Sequence, residues 1–282
     1  MWRGKRAARK LWGRARTLLL AFLAAIIVAA IGGLAMNETP AKFGPPRSLD
    51  LDQWDAAWTD VLTHHVDARG RVDFSGLAKD RAELDEVVKF IAAVDPASSP
   101  ERFPTPNGRL AYYLNAYNAL AMYGVLDAGV PKRFGWFGRI RFFVLRKFTM
   151  GSRVISLYRL ENGVIRPLGD PRVHFALNCM SVSCPRLPQS AFTANALDEE
   201  LATVTREFVA EKRNVDDGGG REVRISAIFK FYTKDFLTKA PSLPAYINRY
   251  RVTQIPVNSK VVFDGYDWSI NDQKNSRPSR SP

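Results

Sequence analysis

The stretch from Leu110 to Leu126 limits what this chain can fold into more than any other. Its seventeen residues carry no charge and only two amides, Asn115 and Asn118. A helix drawn through them is apolar nearly all round, and such a helix is enclosed by its neighbours. Asn107 is placed to cap it, and Gly129 followed by Pro131 to stop it. A buried amide without partners costs on the order of a few kcal/mol. Asn115 and Asn118, one turn apart, therefore either tie neighbouring loops to the helix or line a polar site.

The N-terminus concerns location more than fold. The formal charge of +13 suggests nucleic acid until it is placed along the chain. Seven of the 41 Lys+Arg fall within residues 1–16, leaving 34 against 28 acids, a remainder of about +6. With that block set aside, the charge argument for nucleic-acid binding lapses. Leu18–Met36 follows, nineteen uncharged residues, against the roughly 20 needed to span a bilayer. A basic flank on one side keeps that side cytoplasmic. Everything after Met36 is then expected outside the cytoplasm, periplasmic or extracellular. The segment is a signal-anchor, or a signal peptide cleaved after the small residues of Gly33-Leu34-Ala35. The expected layout is a basic segment 1–17, a transmembrane segment 18–36, a linker 37–49, a globular domain 50–271 and a polar tail 272–282.

Within the domain, Trp54, Trp58, Val61, Leu62 and His65 recur at helical spacing after Asp50 or Asp52. His64 and His65 fall at the C-terminus of that helix, where they interact with the dipole. Arg71–Phe74 reads as a short strand, and 76–94 as a second helix. Arg141–Arg146 and Arg153–Leu157 read as a hairpin about Met150-Gly151-Ser152. Ser156 then caps a short helix to Ile165, with Glu161 at the border of its apolar stripe. Thr193 or Asn195 caps an amphipathic helix carrying Leu197, Leu201, Val204, Phe208 and Val209. Further on come a strand at Val223–Ile225, a helix capped by Ser226, a helix at 243–250, and a closing strand formed by 261–263 and 266–270. There is no internal repeat. The fold class is α+β, a single globular domain of helices around a small mixed or antiparallel sheet.

The chemistry gathers in Arg172–Pro185. This stretch holds His174, one of three histidines, and both cysteines, Cys179 and Cys184. From Arg172 to Asn178 apolar and polar residues alternate, which reads as a half-buried strand running into a loop. Outside the cytoplasm the cysteines are permitted to pair. Cys179 and Cys184 form a bridge, or one of them is a free thiol; spacing alone leaves both open.

Several separated blocks resemble the DUF547 family of uncharacterised domains. They are Leu114-Asn115-Ala116-Tyr117-Asn118-Ala119-Leu120, then Ser156-Leu157 with Leu160–Arg166, then Asp170–Cys179 with Ser183-Cys184-Pro185. Downstream, Ile225–Tyr232, Asp235-Phe236 and Tyr266-Asp267-Trp268 are similar too. The chain has Met180 where the family tends to glycine, and Phe231 where tryptophan is common. The resemblance speaks to fold more than to mechanism.

Three functional readings compete. In the leading one the domain is an envelope binding or scaffolding module with a polar cleft around His174 and Cys184. Tyr117, Asn118, Arg172 and Asn178 are its candidate binding residues, and Cys179–Cys184 staples the loop. In the alternative it is a hydrolase or acyl-transferase, with Cys184 as nucleophile, His174 as base and Glu161, Asn115 or Asn118 as orienting group. The third is a metal site on His174, Cys179 and Cys184, with His64 or His65 as a further ligand; the His-x4-Cys-x4-Cys spacing is not a recurring zinc pattern. No metal and no cofactor is expected. There is no Gly-x-Ser-x-Gly elbow, phosphate-binding glycine loop or His-Glu-x-x-His. The expected partners are the membrane, through the N-terminal segment, and an envelope ligand or protein.

Overall fold

The structure, a computed structural model, describes residues 40–41, 43–218 and 222–275. The basic segment, the apolar run 18–36 and most of the polar tail lie outside the described residues. Among the described residues no helix is long and apolar enough to cross a membrane.

Eleven α-helical segments are described: α1 (Leu51–His65), α2 (Phe74–Lys79), α3 (Ala82–Ala93), α4 (Pro106–Asp127), α5 (Trp136–Arg139), α6 (Leu157–Leu160), α7 (Val173–Ala176), α8 (Leu197–Ala210), α9 (Ala227–Phe231), α10 (Thr233–Phe236) and α11 (Leu243–Asn248). β1 (Phe148–Met150) and β2 (Arg153–Ile155) form an antiparallel hairpin, pairing Phe148 with Ile155. β3 (Val215–Asp216), β4 (Glu222–Ile225) and β5 (Lys260–Phe263) form a second sheet, antiparallel between β3 and β4 and parallel between β4 and β5. The class is α+β as expected, with a different centre. Two small sheets flank the helices, and α4 runs through the core.

Every residue of α4 from Leu110 to Leu126 is buried. The helix starts four residues before the expected segment, and its cap is Thr105 instead of Asn107. Thr105 Oγ1 accepts the Gly108 amide at 3.0 Å, and Pro106 occupies the first turn. Proline is tolerated there because that amide has no helical partner. At the far end Gly129 adopts the left-handed conformation that closes many helices.

Buried apolar residues divide into two clusters. The larger joins α1 to α4, the hairpin and α6; the smaller joins α8, β3–β5, α9, α10 and α11. α7 lies between them. Its Val173, Ala176 and the following Leu177 belong to the first, and Phe175 to the second.

That placement explains the principal correction. Arg172–Asn178 is not a half-buried strand; residues 173–176 form one helical turn. Asp170 Oδ1 accepts the Arg172 amide at 2.9 Å and its carbonyl accepts from Val173, so the chain turns immediately after Pro171. Residues 173–178 are all buried. With both sides enclosed, alternation no longer reports a wet and a dry face, and the period-2 signal loses its meaning.

Other elements differ for similar reasons. Ile140–Leu145 is π-helical, not a strand, because Phe142 and Leu145 point inward at helical spacing while Phe142 packs on Phe134, ring centroids 4.5 Å apart. The hairpin is therefore confined to 148–155. Its Gly151 has φ +53°, and a Cβ there would lie 2.6 Å from Asp95 Cβ, so only glycine fits. The helix expected at 76–94 breaks at Asp80-Arg81 into α2 and α3. Arg71–Phe74 and 266–270 make only isolated bridges, such as Val66 with Val72 and Ser181 with Ile270. α8 is not capped by Thr193 or Asn195; Glu200 reaches back from its first turn to the Thr193 amide at 2.9 Å.

Candidate functional site

The two amides of α4 act as clamps. Asn115 donates to the Phe192 carbonyl at 2.8 Å and accepts the Phe192 amide at 2.9 Å. Asn118 donates to the Ala176 carbonyl at 3.0 Å and accepts the Asn178 amide at 2.8 Å. Asn178 continues the chain of contacts, donating to the Pro185 carbonyl at 2.7 Å and accepting the Met180 amide at 2.7 Å. Each side chain satisfies backbone groups that no helix or sheet reaches. Together they fix the end of α7 and the loop 178–185 against the core. Met180, fully buried, sits at φ +62°, the region glycine enters freely.

Within that loop Cys179 and Cys184 are disulfide-bonded, with Cα atoms 6.3 Å apart. The Cys179 amide donates to Cys184 Sγ at 2.9 Å. Tyr266 Oη lies 3.3 Å from Cys179 Sγ and 3.2 Å from Cys184 Sγ, and accepts from Ser181 Oγ at 3.0 Å.

α7 presents His174 beside this loop. Its ring stacks on Tyr232 at 3.7 Å, and its Nε2 hydrogen-bonds Asp235 Oδ2 at 2.8 Å. Asp235 also holds Arg166 in a two-point ion pair at 2.8 and 2.9 Å. The Arg166 guanidinium, then His174, keeps the Asp235 carboxyl below the usual carboxylate range. Burial depresses the imidazole to about 4, against the pull of Asp235. Asp235 is therefore the charged partner and His174 is neutral at pH 7. The second ring nitrogen, Nδ1, is buried without a hydrogen-bond partner.

Glu161 opens the π-helical turn 161–165 that follows α6, a local geometry common at functional sites. It points inward, where Tyr117 donates to Oε2 at 3.3 Å and Tyr232 to Oε1. Burial pushes the Glu161 carboxyl up, against the two tyrosine hydrogen bonds. Burial and the Glu161 charge hold both tyrosines well above their ordinary range, so they remain donors.

These groups meet in one cavity of about 530 Å³. Tyr117, Glu161, His174, Cys179 and Cys184 line it, and half of its remaining lining residues are aromatic: Trp136, Phe143, Tyr158, Phe231, Tyr232, Tyr266 and Trp268. Several of these rings are wet, with Trp136 65% exposed, Tyr158 55% and Phe231 49%. Exposed aromatic surface gathered about a concavity marks a binding site more than a folding need. Arg139 covers the Trp268 ring at 4.7 Å and Arg166 the Tyr232 ring at 5.2 Å.

Of the residues singled out from sequence, Asn115, Asn118 and Asn178 do not reach the cavity; they hold its frame. Arg172 faces elsewhere, paired with Asp170 and Asp198, each at 2.7 Å. Tyr232, Asp235, Arg166, Tyr266 and the aromatic walls were given no role from sequence. Motif blocks contain Tyr232, Asp235 and Tyr266, but nothing local says that residues more than 50 positions away close on His174 and Glu161. His64 bonds the Asp60 carbonyl through Nδ1 at 2.7 Å, within its own helix end. Among the described residues no three His, Cys, Asp or Glu side chains come together to hold a metal ion.

Residues 102–209 match the family model DUF547, a protein of unknown function. The match supports the DUF547 resemblance and runs from just before α4 into α8. It covers both asparagine clamps, Glu161, His174 and the disulfide; Tyr232, Asp235 and Tyr266 lie beyond the DUF547 segment. No curated protein and no solved structure matches the chain.

Proposed function

We propose that this DUF547-type domain is a binding module for a small amphipathic ligand. The ligand's apolar or aromatic body lies against the exposed rings, and its polar end meets Glu161 and the rim arginines. The carrying observation is an aromatic cavity whose lining includes a hydrogen-bonded acid and a neutral imidazole. Aromatic walls supply area at low entropic cost, while a few fixed polar groups set orientation. The module is placed outside the cytoplasm and tethered by its N-terminal segment; the basic block followed by Leu18–Met36 supports that placement. Protease accessibility in intact cells against broken cells tests it.

The competing hydrolase or acyl-transferase has one feature in its favour, the Asp235–His174 pair, which resembles the orienting half of a triad. Against it, both cysteines are bridged, Nε2 is committed to Asp235, and neither ring nitrogen bonds a sulfur.

Titration of the full-length protein with anilinonaphthalene sulfonate, an aromatic probe with a polar end, tests the binding reading. Saturable one-site fluorescence enhancement is expected, weakened about tenfold or more by Trp268→Ala or Phe231→Ala, as for buried aromatic anchors. Enhancement indifferent to both substitutions overturns it.

A further inference from the structure

The disulfide stands in the wall of the cavity, not beneath a loop in the core. Both cysteines line the aromatic cavity, and Cys184 also borders a second, more basic concavity of about 940 Å³. The two cysteines differ in burial. Cys184 is 4% exposed, whereas Cys179 is only partly buried. Cys184 Sγ accepts the Cys179 amide at 2.9 Å and lies 3.2 Å from the Tyr266 hydroxyl. Ser181 donates to that hydroxyl at 3.0 Å, leaving its proton for sulfur. Burial raises the Tyr266 phenol, so that proton is retained. A structural staple has no use for donors aimed at its sulfurs. A leaving thiolate does, since charge developing on sulfur is stabilised by donors already in place.

We propose that Cys179–Cys184 is a thiol–disulfide exchange centre for an apolar or aromatic dithiol held in the cavity. The proposal rests on the cavity being a ligand site and names the ligand class. A substrate thiolate attacks Sγ of Cys179, the less buried of the two cysteines. The S–S bond breaks, and its electron pair goes to Cys184 Sγ, stabilised by the Cys179 amide and the Tyr266 hydroxyl. The substrate's second thiolate then attacks its own sulfur in the mixed disulfide and releases Cys179. The substrate leaves as a disulfide, and its two electrons and two protons end on Cys179 and Cys184. No other reactant is required for this single turnover.

The test treats oxidised full-length protein, under native conditions, with 1,2-benzenedimethanethiol or with dithiothreitol, and counts thiols by maleimide mass shift. Two additions per chain are expected, several-fold faster with the aromatic dithiol. Benzyl mercaptan should leave its adduct on Cys179 by peptide mapping. Tyr266→Phe should slow the exchange about tenfold, the loss of one hydrogen bond to a charged sulfur. No maleimide uptake until denaturant unfolds the chain, or an adduct on Cys184, overturns the proposal. Fluorescent probe binding followed on the same samples separates the two readings, because an inert disulfide leaves that binding intact.

Discussion

Replacing Asn118 by alanine removes two hydrogen bonds at once and tests the view that α4 holds the site's frame. The side chain donates to the Ala176 carbonyl at 3.0 Å and accepts the Asn178 amide at 2.8 Å. Ala176 and Asn178 are 2% and 1% exposed, so neither group turns to solvent when its partner is lost. A buried group left unsatisfied costs about 1–3 kcal/mol, which gives about 2–6 kcal/mol for the pair. Urea unfolding of the full-length protein measures it. With a slope of about 2 kcal/mol/M, a loss near 4 kcal/mol lowers the midpoint by about 2 M with the slope unchanged. Asn118→Asp keeps the acceptor for Asn178 but sets an oxygen against the Ala176 carbonyl, so it should also destabilise at neutral pH. Asn258→Ala, on the surface, should stay within about 0.5 kcal/mol of the parent. An Asn118→Ala loss below about 1 kcal/mol refutes the reasoning, because water or rearrangement would then serve the loop equally well.

Three further outcomes follow from the same geometry. The imidazole of His174 should titrate near 4 in a histidine NMR titration; its unfolded value is higher, so its contribution to stability is complete above about pH 6.5 and falls as pH drops toward 4, by on the order of 3 kcal/mol. Arg153→Ala removes the two charged contacts, at 2.6 and 2.9 Å, from the fully buried Asp95 carboxylate, leaving it the Tyr113 hydroxyl and the Ala97 amide, and should cost about 1.5–3 kcal/mol in denaturant unfolding. Met180→Gly and Met180→Ala lose the same buried side chain, yet at φ +62° the glycine variant should be the more stable by about 1 kcal/mol.

The sequence made α4 legible because residue type alone demanded enclosure, whatever the neighbours. Ser156 and Ser226 were readable as caps, and each accepts the expected type of backbone amide, from Arg159 and Ile228. The cysteine loop was marked by residue type as well. What escaped had no local signature. A turn buried on every side, as at 173–176, erases the contrast that periodicity depends on. The cavity exists because α5, α6, α7, α9 and the segment about Tyr266 converge from separate parts of the chain, and nothing in spacing encodes that convergence. Met180 and Phe231, both departures from the family resemblance, prove to be informative positions. One carries left-handed backbone and the other forms a wall of the cavity.

The central claim is that a ligand occupies the aromatic cavity, and tryptophan indole NMR reads it directly. Trp136 and Trp268 line the cavity, while Trp54 and Trp58 lie in the core at 3% and 1% exposure. On adding anilinonaphthalene sulfonate to full-length, ¹⁵N-indole-labelled protein, the Trp136 and Trp268 signals should shift together along one saturation curve while those of Trp54 and Trp58 stay fixed. Saturable binding that leaves Trp136 and Trp268 unmoved contradicts the account.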